Sequence, residues 1–211
     1  MKKLLVLSAL AFAVPAQSAV VVSFQNGASV LPAGTTIFQD FESLADGSSL
    51  GTNANVYSGS IGGIAARPAV GSTGNFGAVL ANGTYNVMFS TAASIFSFAL
   101  GSLDTYNQLV LSLDNNTTLV YNGAQINQGI IADGNQLNGL TNGRVTYTVT
   151  GGGPNILGAS FRSIGTNSFE FDNLAVRAVP EPATWLMMLM GFAAVGFGMR
   201  RRNAQGTPAV A

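Results

Sequence analysis

The middle of the chain consists of short runs in which apolar and polar residues alternate. The alternation is clearest over 96–100, 109–113 and 145–150, where Phe, Leu, Val and Tyr occupy every second position. A period of two places the apolar side chains on one face of a strand and the polar side chains on the other. These runs therefore predict antiparallel strands with one buried and one solvated face.

Turn signals separate these runs and mark the ends of further strands. Asx-Gly dipeptides, which tolerate the positive φ of tight turns, begin at Asn26, Asp46, Asn82, Asn122, Asp133, Asn138 and Asn142. Further strands are predicted at 20–24, 36–38, 77–80, 85–89, 118–121, 156–161 and 169–176. We find no amphipathic helical period and no repeat of fixed length. The pattern predicts an all-β domain over 20–178, an antiparallel β-sandwich, with a parallel solenoid as the alternative.

The first 19 residues have the pattern of a secretory signal peptide. Lys2 and Lys3 precede an apolar run over 4–14, and the small residues of 15–19 follow. Cleavage after Ser18 leaves small residues at both recognition positions, while cleavage after Ala19 is the alternative. An uncleaved anchor is disfavoured because the run is short for a bilayer core of about 30 Å. The pattern predicts export through the Sec translocon.

A second apolar stretch lies near the other end of the chain. Residues 183–199 are uncharged and precede Arg200, Arg201 and Arg202. As a helix this stretch measures roughly 26 Å, which predicts a single, short transmembrane helix with a cytoplasmic tail over 204–211. Trp185 then lies at the membrane interface and the arginines stay in the cytoplasm. The alternatives are a helix dimerisation face formed by Gly191, Gly196 and Gly198, and a buried soluble helix.

The segment 179–203 closely resembles the PEP-CTERM sorting domain. The resemblance rests on Pro180, Glu181 and Pro182, on Trp185 three residues later, and on the apolar helix and arginine cluster that follow. The variant with this tryptophan usually has Ala after it, where this chain has Leu186.

The resemblance implies recognition and cleavage by an exosortase, a membrane-embedded cysteine protease-transpeptidase of Gram-negative bacteria that make extracellular polysaccharide. The recognition elements for that enzyme, which have no catalytic role, are then Pro180, Glu181, Pro182, Trp185, Arg200, Arg201 and Arg202. The resemblance implies a precursor anchored in the inner membrane and a product at the cell surface or in the medium.

Two acidic segments of the body resemble the edges of jelly-roll domains found in exosortase-dependent surface proteins and in carbohydrate-binding modules. These segments are 38–47 and 169–176. The resemblance implies that the first and last strands are neighbours and that Asp40, Glu42 and Asp172 hold a structural Ca²⁺ ion, whose preferred ligands are hard oxygens. Ordinary solvated acids at alternating strand positions are the alternative.

Composition narrows the possible functions. Residues 20–179 contain four arginines, no lysine and eight acids, a net charge of −4, and this argues against a nucleic-acid partner. The chain has no Cys and no His, which excludes Cys-His and Ser-His-Asp catalysis and the usual zinc sites. We therefore expect no enzymatic activity, and the resemblance to exosortase substrates implies a surface or matrix protein that associates with exopolysaccharide.

Two other functions remain open. A secreted polysaccharide-active enzyme requires two convergent carboxylates. The candidates are Asp40, Glu42, Asp104, Asp114, Glu170 and Asp172, and nothing in the sequence selects a pair. A protein permanently anchored by its tail and facing the periplasm is the other alternative.

The tyrosines of the body are candidates for stacking on sugar rings or, alternatively, residues at the edge of the core. They are Tyr57, Tyr85, Tyr106, Tyr121 and Tyr147.

Overall fold

The computed structural model describes residues 19–179 and 184–204, so the predicted signal peptide lies almost wholly outside the described residues. The chain divides into two compact units between Ala178 and Val179. The first unit contains a short 3₁₀ helix at Gly123–Asn127 and the following strands. They are β1 (Ala19–Asn26), β2 (Thr36–Gln39), β3 (Ser49–Tyr57), β4 (Phe76–Gly101), β5 (Asn107–Leu113), β6 (Thr118–Asn122), β7 (Gly143–Thr150), β8 (Ile156–Ser163) and β9 (Phe169–Ala178).

All the ladders between these strands are antiparallel. The main order is β1-β7-β4-β8-β5-β6, β3 pairs with β4, and β9 pairs with both β4 and β2. The predicted all-β, antiparallel fold is confirmed.

Strand β4 joins the two layers of the fold into one curled sheet. Its residues 83–88 pair with β8, whereas residues 95–100 pair with β7 and 93–101 pair with β9. The sequence pattern predicts three strands in this region, and the structure merges them. Asn82-Gly83, expected as a hairpin turn, instead forms an irregularity inside β4, where Asn82 has a φ of 55° and the register with β3 shifts.

Aromatic side chains fill the space inside the curl. Phe161 of β8 lies 4.1 Å from Phe171 of β9 and 5.0 Å from Phe98 of β4, measured between ring centroids. Tyr85 stacks on Phe171 at 5.4 Å. Since β8 and β9 do not pair with each other, these side-chain contacts hold the parts of the curled sheet that contain them face to face. Each aromatic pair adds about 0.5–1.5 kcal/mol beyond its buried area.

Strand β3 is absent from the sequence-based prediction because it is polar. Only Leu50, Ala54 and Val56 are apolar residues at the alternating positions that face the core. At Gly51 a Cβ atom would overlap the carbonyl oxygen of Thr84, so the close approach of β3 to β4 requires glycine.

In the second unit the described residues form one helix, α1 (Thr184–Ala204). In the described part of the chain, no helix is both long enough and apolar enough to cross a membrane. The predicted helix is present, but the prediction that residues 183–199 form a membrane-spanning segment is not supported.

Candidate functional site

Four segments far apart in the sequence enclose a polar cavity of about 280 Å³ at one end of the sheet. They are 61–66 in the β3–β4 loop, 102–106 after β4, 133–136 before β7, and 167–170 at the start of β9. The curl of the sheet brings them together, because β4 ends beside the beginning of β9.

Glu170 forms the buried floor of this cavity. Its side chain is 3% exposed. The backbone N–H of Ala66 donates to Oε1 at 3.0 Å, the Ser102 hydroxyl donates to Oε2 at 2.9 Å, and the Ser168 hydroxyl also donates to Oε1. Burial raises the pKa of Glu170, and these donors oppose the shift. Both oxygens are thus occupied by groups that fix the surrounding loops.

Asp104 and Asp133 face each other across an isolated antiparallel bridge on one wall. The Tyr106 hydroxyl donates to Asp104 Oδ2 at 2.6 Å and also contacts the carbonyl of Asn167. Burial raises the pKa of Asp104, the Tyr106 hydrogen bond lowers it, and the charge of Asp133 raises it further. Gly134 is required here, since its φ is 69° and a Cβ atom would overlap the Asp104 carboxylate.

The rim of the cavity is partly apolar. Ile61 and Ile64 line it and are 45% and 38% exposed. In the part of the chain that the structure describes, no lysine or arginine lines the cavity. The site therefore joins a hydroxyl-, amide- and carboxylate-lined floor to an apolar lip.

The three acids predicted to bind calcium lie on or directly after two paired strands. Asp40 and Glu42 follow β2, Asp172 lies on β9, and β2 pairs with β9. Asp40 Oδ1 accepts the N–H of Glu42 at 3.1 Å, and Glu42 Oε1 accepts the N–H of Asn75 at 3.1 Å. Phe41 between them is fully buried with a φ of 63°, an unusual value for a bulky residue.

Asp172 is the buried member of this acidic cluster (Asp40, Glu42 and Asp172). It is 1% exposed, and its Oδ1 accepts the N–H of Asn173 at 2.6 Å. Within the described residues Oδ2 has no hydrogen-bond partner, and the buried Ser72 hydroxyl, which is near enough to lower the pKa of Asp172, has none either. Burial raises the pKa of Asp172 to about 7, Ser72 and Asn173 oppose this shift, and Glu42 and Asp40 add to it.

A calcium ion fits part of this arrangement. The orphaned Asp172 oxygen and the two neighbouring carboxylates are hard donors of the kind that calcium prefers. However, among the described residues no group of three His, Cys, Asp or Glu converges as a metal site. The buried Arg144 also interacts with Asp172. Burial lowers the pKa of Arg144 to about 10, and the charge of Asp172 opposes this shift. The calcium site stays a prediction.

The remaining candidate residues do not form a site together. Asp114, in the β5–β6 turn, accepts a hydrogen bond from Asn155 Nδ2 at 2.9 Å and is outside the cavity. Tyr57, Tyr85 and Tyr147 are buried, and Tyr121 is half-buried beside Tyr147. Of the five tyrosines only Tyr106 lines the cavity.

Sequence reasoning missed Asp133, Ser102, Asn167 and Ser168 as members of the site. The only signal in the sequence was Asp133-Gly134, which indicates a turn. Nothing in the spacing of these residues indicates that their loops meet, because the meeting depends on how the sheet curls.

The predicted sorting residues fall in the C-terminal unit. Trp185, Arg200, Arg201 and Arg202 lie in α1, whereas Pro180, Glu181 and Pro182 lie outside the described residues.

Comparison with known proteins identifies this same segment. A family model described as the PEP-CTERM protein-sorting motif matches residues 178–202. No curated protein and no solved structure matches the chain. The motif implies export and a membrane-anchored precursor that an exosortase recognises and processes. The chain is therefore a PEP-CTERM sorting domain-containing protein, exported and sorted by an exosortase.

Proposed function

We propose that the β domain is a non-catalytic saccharide-binding domain that an exosortase delivers to the cell surface or the extracellular matrix, where it associates with exopolysaccharide. The observation that supports this proposal is the cavity, in which a polar floor lies beside an apolar lip. Saccharides have the matching chemistry, since each sugar ring carries hydroxyl groups around its edge and apolar C–H groups on its faces.

The lining residues suit such a ligand. The side chains of Gln136 and Asp133 offer hydrogen-bonding groups for hydroxyls, and Ile61 and Ile64 offer apolar contact. Sites for small ligands generally combine apolar walls with a few polar groups that fix orientation.

The environment of the carboxylates favours binding over catalysis. Glycoside hydrolysis requires one carboxyl group that gives a proton to the leaving oxygen and a second that acts as base or nucleophile. Glu170 is buried and both its oxygens accept hydrogen bonds, while Asp104 is engaged by Tyr106. Asp133 alone is exposed, and one exposed carboxylate does not supply both roles.

The proximity of Asp104 and Asp133 is the specific observation in favour of the alternative, a polysaccharide-active enzyme. The two functions differ in one measurement. Incubating the full chain with purified exopolysaccharide of the host and analysing the products by mass spectrometry detects new reducing ends only if the protein is an enzyme. We expect retention of the polysaccharide without cleavage.

Binding itself is tested with a matched pair of variants. Ile64→Ser removes an apolar contact at the rim, whereas Ile164→Ser makes the same change at an exposed isoleucine outside the cavity (54% exposed against 38% for Ile64). We expect Ile64→Ser to weaken binding to the polysaccharide about tenfold, since a buried apolar side chain contributes about 1.5–3 kcal/mol, and Ile164→Ser to leave it unchanged. Equal effects of the two substitutions would remove the cavity as the binding site.

The destination of the protein is tested by intact-mass measurement of the surface and medium fractions from a strain that has an exosortase. We expect a product that has lost both the signal peptide and the segment after the Pro180-Glu181-Pro182 motif. Recovery of the protein only in the inner membrane, with residues 182–211 attached, would instead support the permanently tail-anchored alternative.

A further inference from the structure

The cavity carries more negative charge than its own side chains neutralise. Asp104, Asp133 and Glu170 line it, and none of its described lining residues is a lysine or an arginine. Asp104 and Asp133 are directly opposite each other in an antiparallel bridge, where like charges repel. A ligand that brings positive charge into the cavity relieves this repulsion.

The three acids differ in how many carboxylate oxygens they have left to bind a ligand. Glu170 is covered and its two oxygens are occupied. Asp104 uses Oδ2 to accept the Tyr106 hydroxyl, and exposed Asp133 uses Oδ1 to accept the N–H of Asn135 at 3.2 Å. In the hydrogen bonds of the described residues, Asp104 Oδ1 and Asp133 Oδ2 are left for a ligand.

From this arrangement, and resting on the saccharide-binding function proposed above, we infer that the cavity selects saccharides with free amino groups over N-acetylated, neutral or acidic saccharides. A protonated amine offers three donors and a charge, and hydrogen bonds between charged groups are about twice as strong as those between neutral groups. Acetylation removes the charge, and an acidic sugar meets like charge from Asp104 and Asp133. The volume of about 280 Å³ suits a single sugar unit of a chain.

The experiment is calorimetric titration of the full chain, in mild detergent with EDTA, against two ligands of equal length: a fully deacetylated glucosamine tetramer and its fully N-acetylated counterpart. We expect the deacetylated tetramer to bind at least about tenfold more tightly, the loss that removal of one charged hydrogen bond produces. Asp133→Asn should abolish most of this preference. Asp114→Asn, which removes the same charge outside the cavity, should retain it.

The outcomes separate the two proposals. Equal or tighter binding of the acetylated tetramer overturns the selectivity and leaves saccharide binding standing. Failure of both tetramers to bind, with the unfolding transition of each variant unchanged, overturns both. Saturable binding of Ca²⁺ alone, lost in Asp133→Asn but not in Asp172→Asn, would assign the two acids to a metal ion and overturn the selectivity.

Discussion

Glu170 and Asp172 are two residues apart on the same strand, yet they lie in contrasting electrostatic surroundings. Both are buried on the face of β9 opposite Phe171, beneath the β3–β4 loop (residues 58–75). Glu170 accepts hydrogen bonds from Ala66, Ser102 and Ser168. Asp172 accepts one from Asn173, and its second oxygen is orphaned.

This contrast shows that equal burial of two carboxylates does not imply equal roles. A buried carboxylate that accepts three hydrogen bonds holds the donating loops in place, because these bonds largely offset the cost of its desolvation. A buried carboxylate whose second oxygen accepts no hydrogen bond destabilises the folded state unless a cation or a proton neutralises it. We expect the hydrogen bonds of Glu170 to stabilise the domain, and Asp172 to be tolerated mainly when it is neutralised.

The largest expected effect is the loss of the Glu170 carboxylate. Glu170→Ala leaves three donors without their acceptor, two of them on buried serines, and should lower the free energy of unfolding by about 3 kcal/mol. Urea denaturation measures this, with exposed Asp114→Ala as the control that should change stability by less than about 0.5 kcal/mol. If Asp172→Ala, measured in EDTA, costs as much as Glu170→Ala, the contrast between the two carboxylates is wrong.

The next effect is the pH dependence of stability in EDTA. The pKa of Asp172 is about 7 in the folded chain and near 3.8 when unfolded, so between these values the folded state binds more protons. Stability should therefore fall as pH rises from about 4 to about 7, with Glu170 and Asp104, whose pKa values are also raised, contributing in the same direction.

A matched pair of variants assigns this slope. Asp172→Asn should reduce the slope, because the amide does not titrate, and leave the smaller contributions of Glu170 and Asp104, whereas Asp114→Asn should preserve the whole slope. Stability that rises with pH over this interval in the unmodified chain would show that Asp172 is compensated by a partner such as Arg144.

The smallest expected effect is that of added calcium near neutral pH. A cation at the acidic cluster neutralises Asp172, and at a concentration 100 times its Kd it stabilises the folded chain by about 2.7 kcal/mol. The melting temperature in millimolar Ca²⁺ should exceed that in EDTA by several degrees, and Asp172→Asn should remove the difference. Identical melting curves with Ca²⁺ and with EDTA would rule out the site.

The strands could be predicted wherever alternation was strong, as in β5, β7, β8 and β9. Polar β3 could not, because its pairing depends on the close approach of Gly51 to Thr84, which leaves no periodic signal. The continuity of β4 could not be predicted either. Bulges near Asn82 and between Met88 and Ala93 interrupt its pattern of apolar and polar residues without interrupting the strand.

The sequence by itself determined the sorting signal and the class of fold. Pro180, Glu181, Pro182 and Trp185 are close together in the chain within the matched sorting motif, so their identity and spacing carry the information. Alternation in β9 likewise determined that Phe169 and Phe171 share one face and that Glu170 and Asp172 share the other.

Only the tertiary structure decided what covers that second face. Period two indicates which residues lie together, but a solvated face and a face beneath a loop have the same pattern. The β3–β4 loop brings Ala66 to Glu170 and leaves the Ser72 hydroxyl without a hydrogen-bond partner, and the curl of the sheet carries Asp133 to Asp104. These contacts join residues distant in sequence, which is why local patterns did not reveal the cavity.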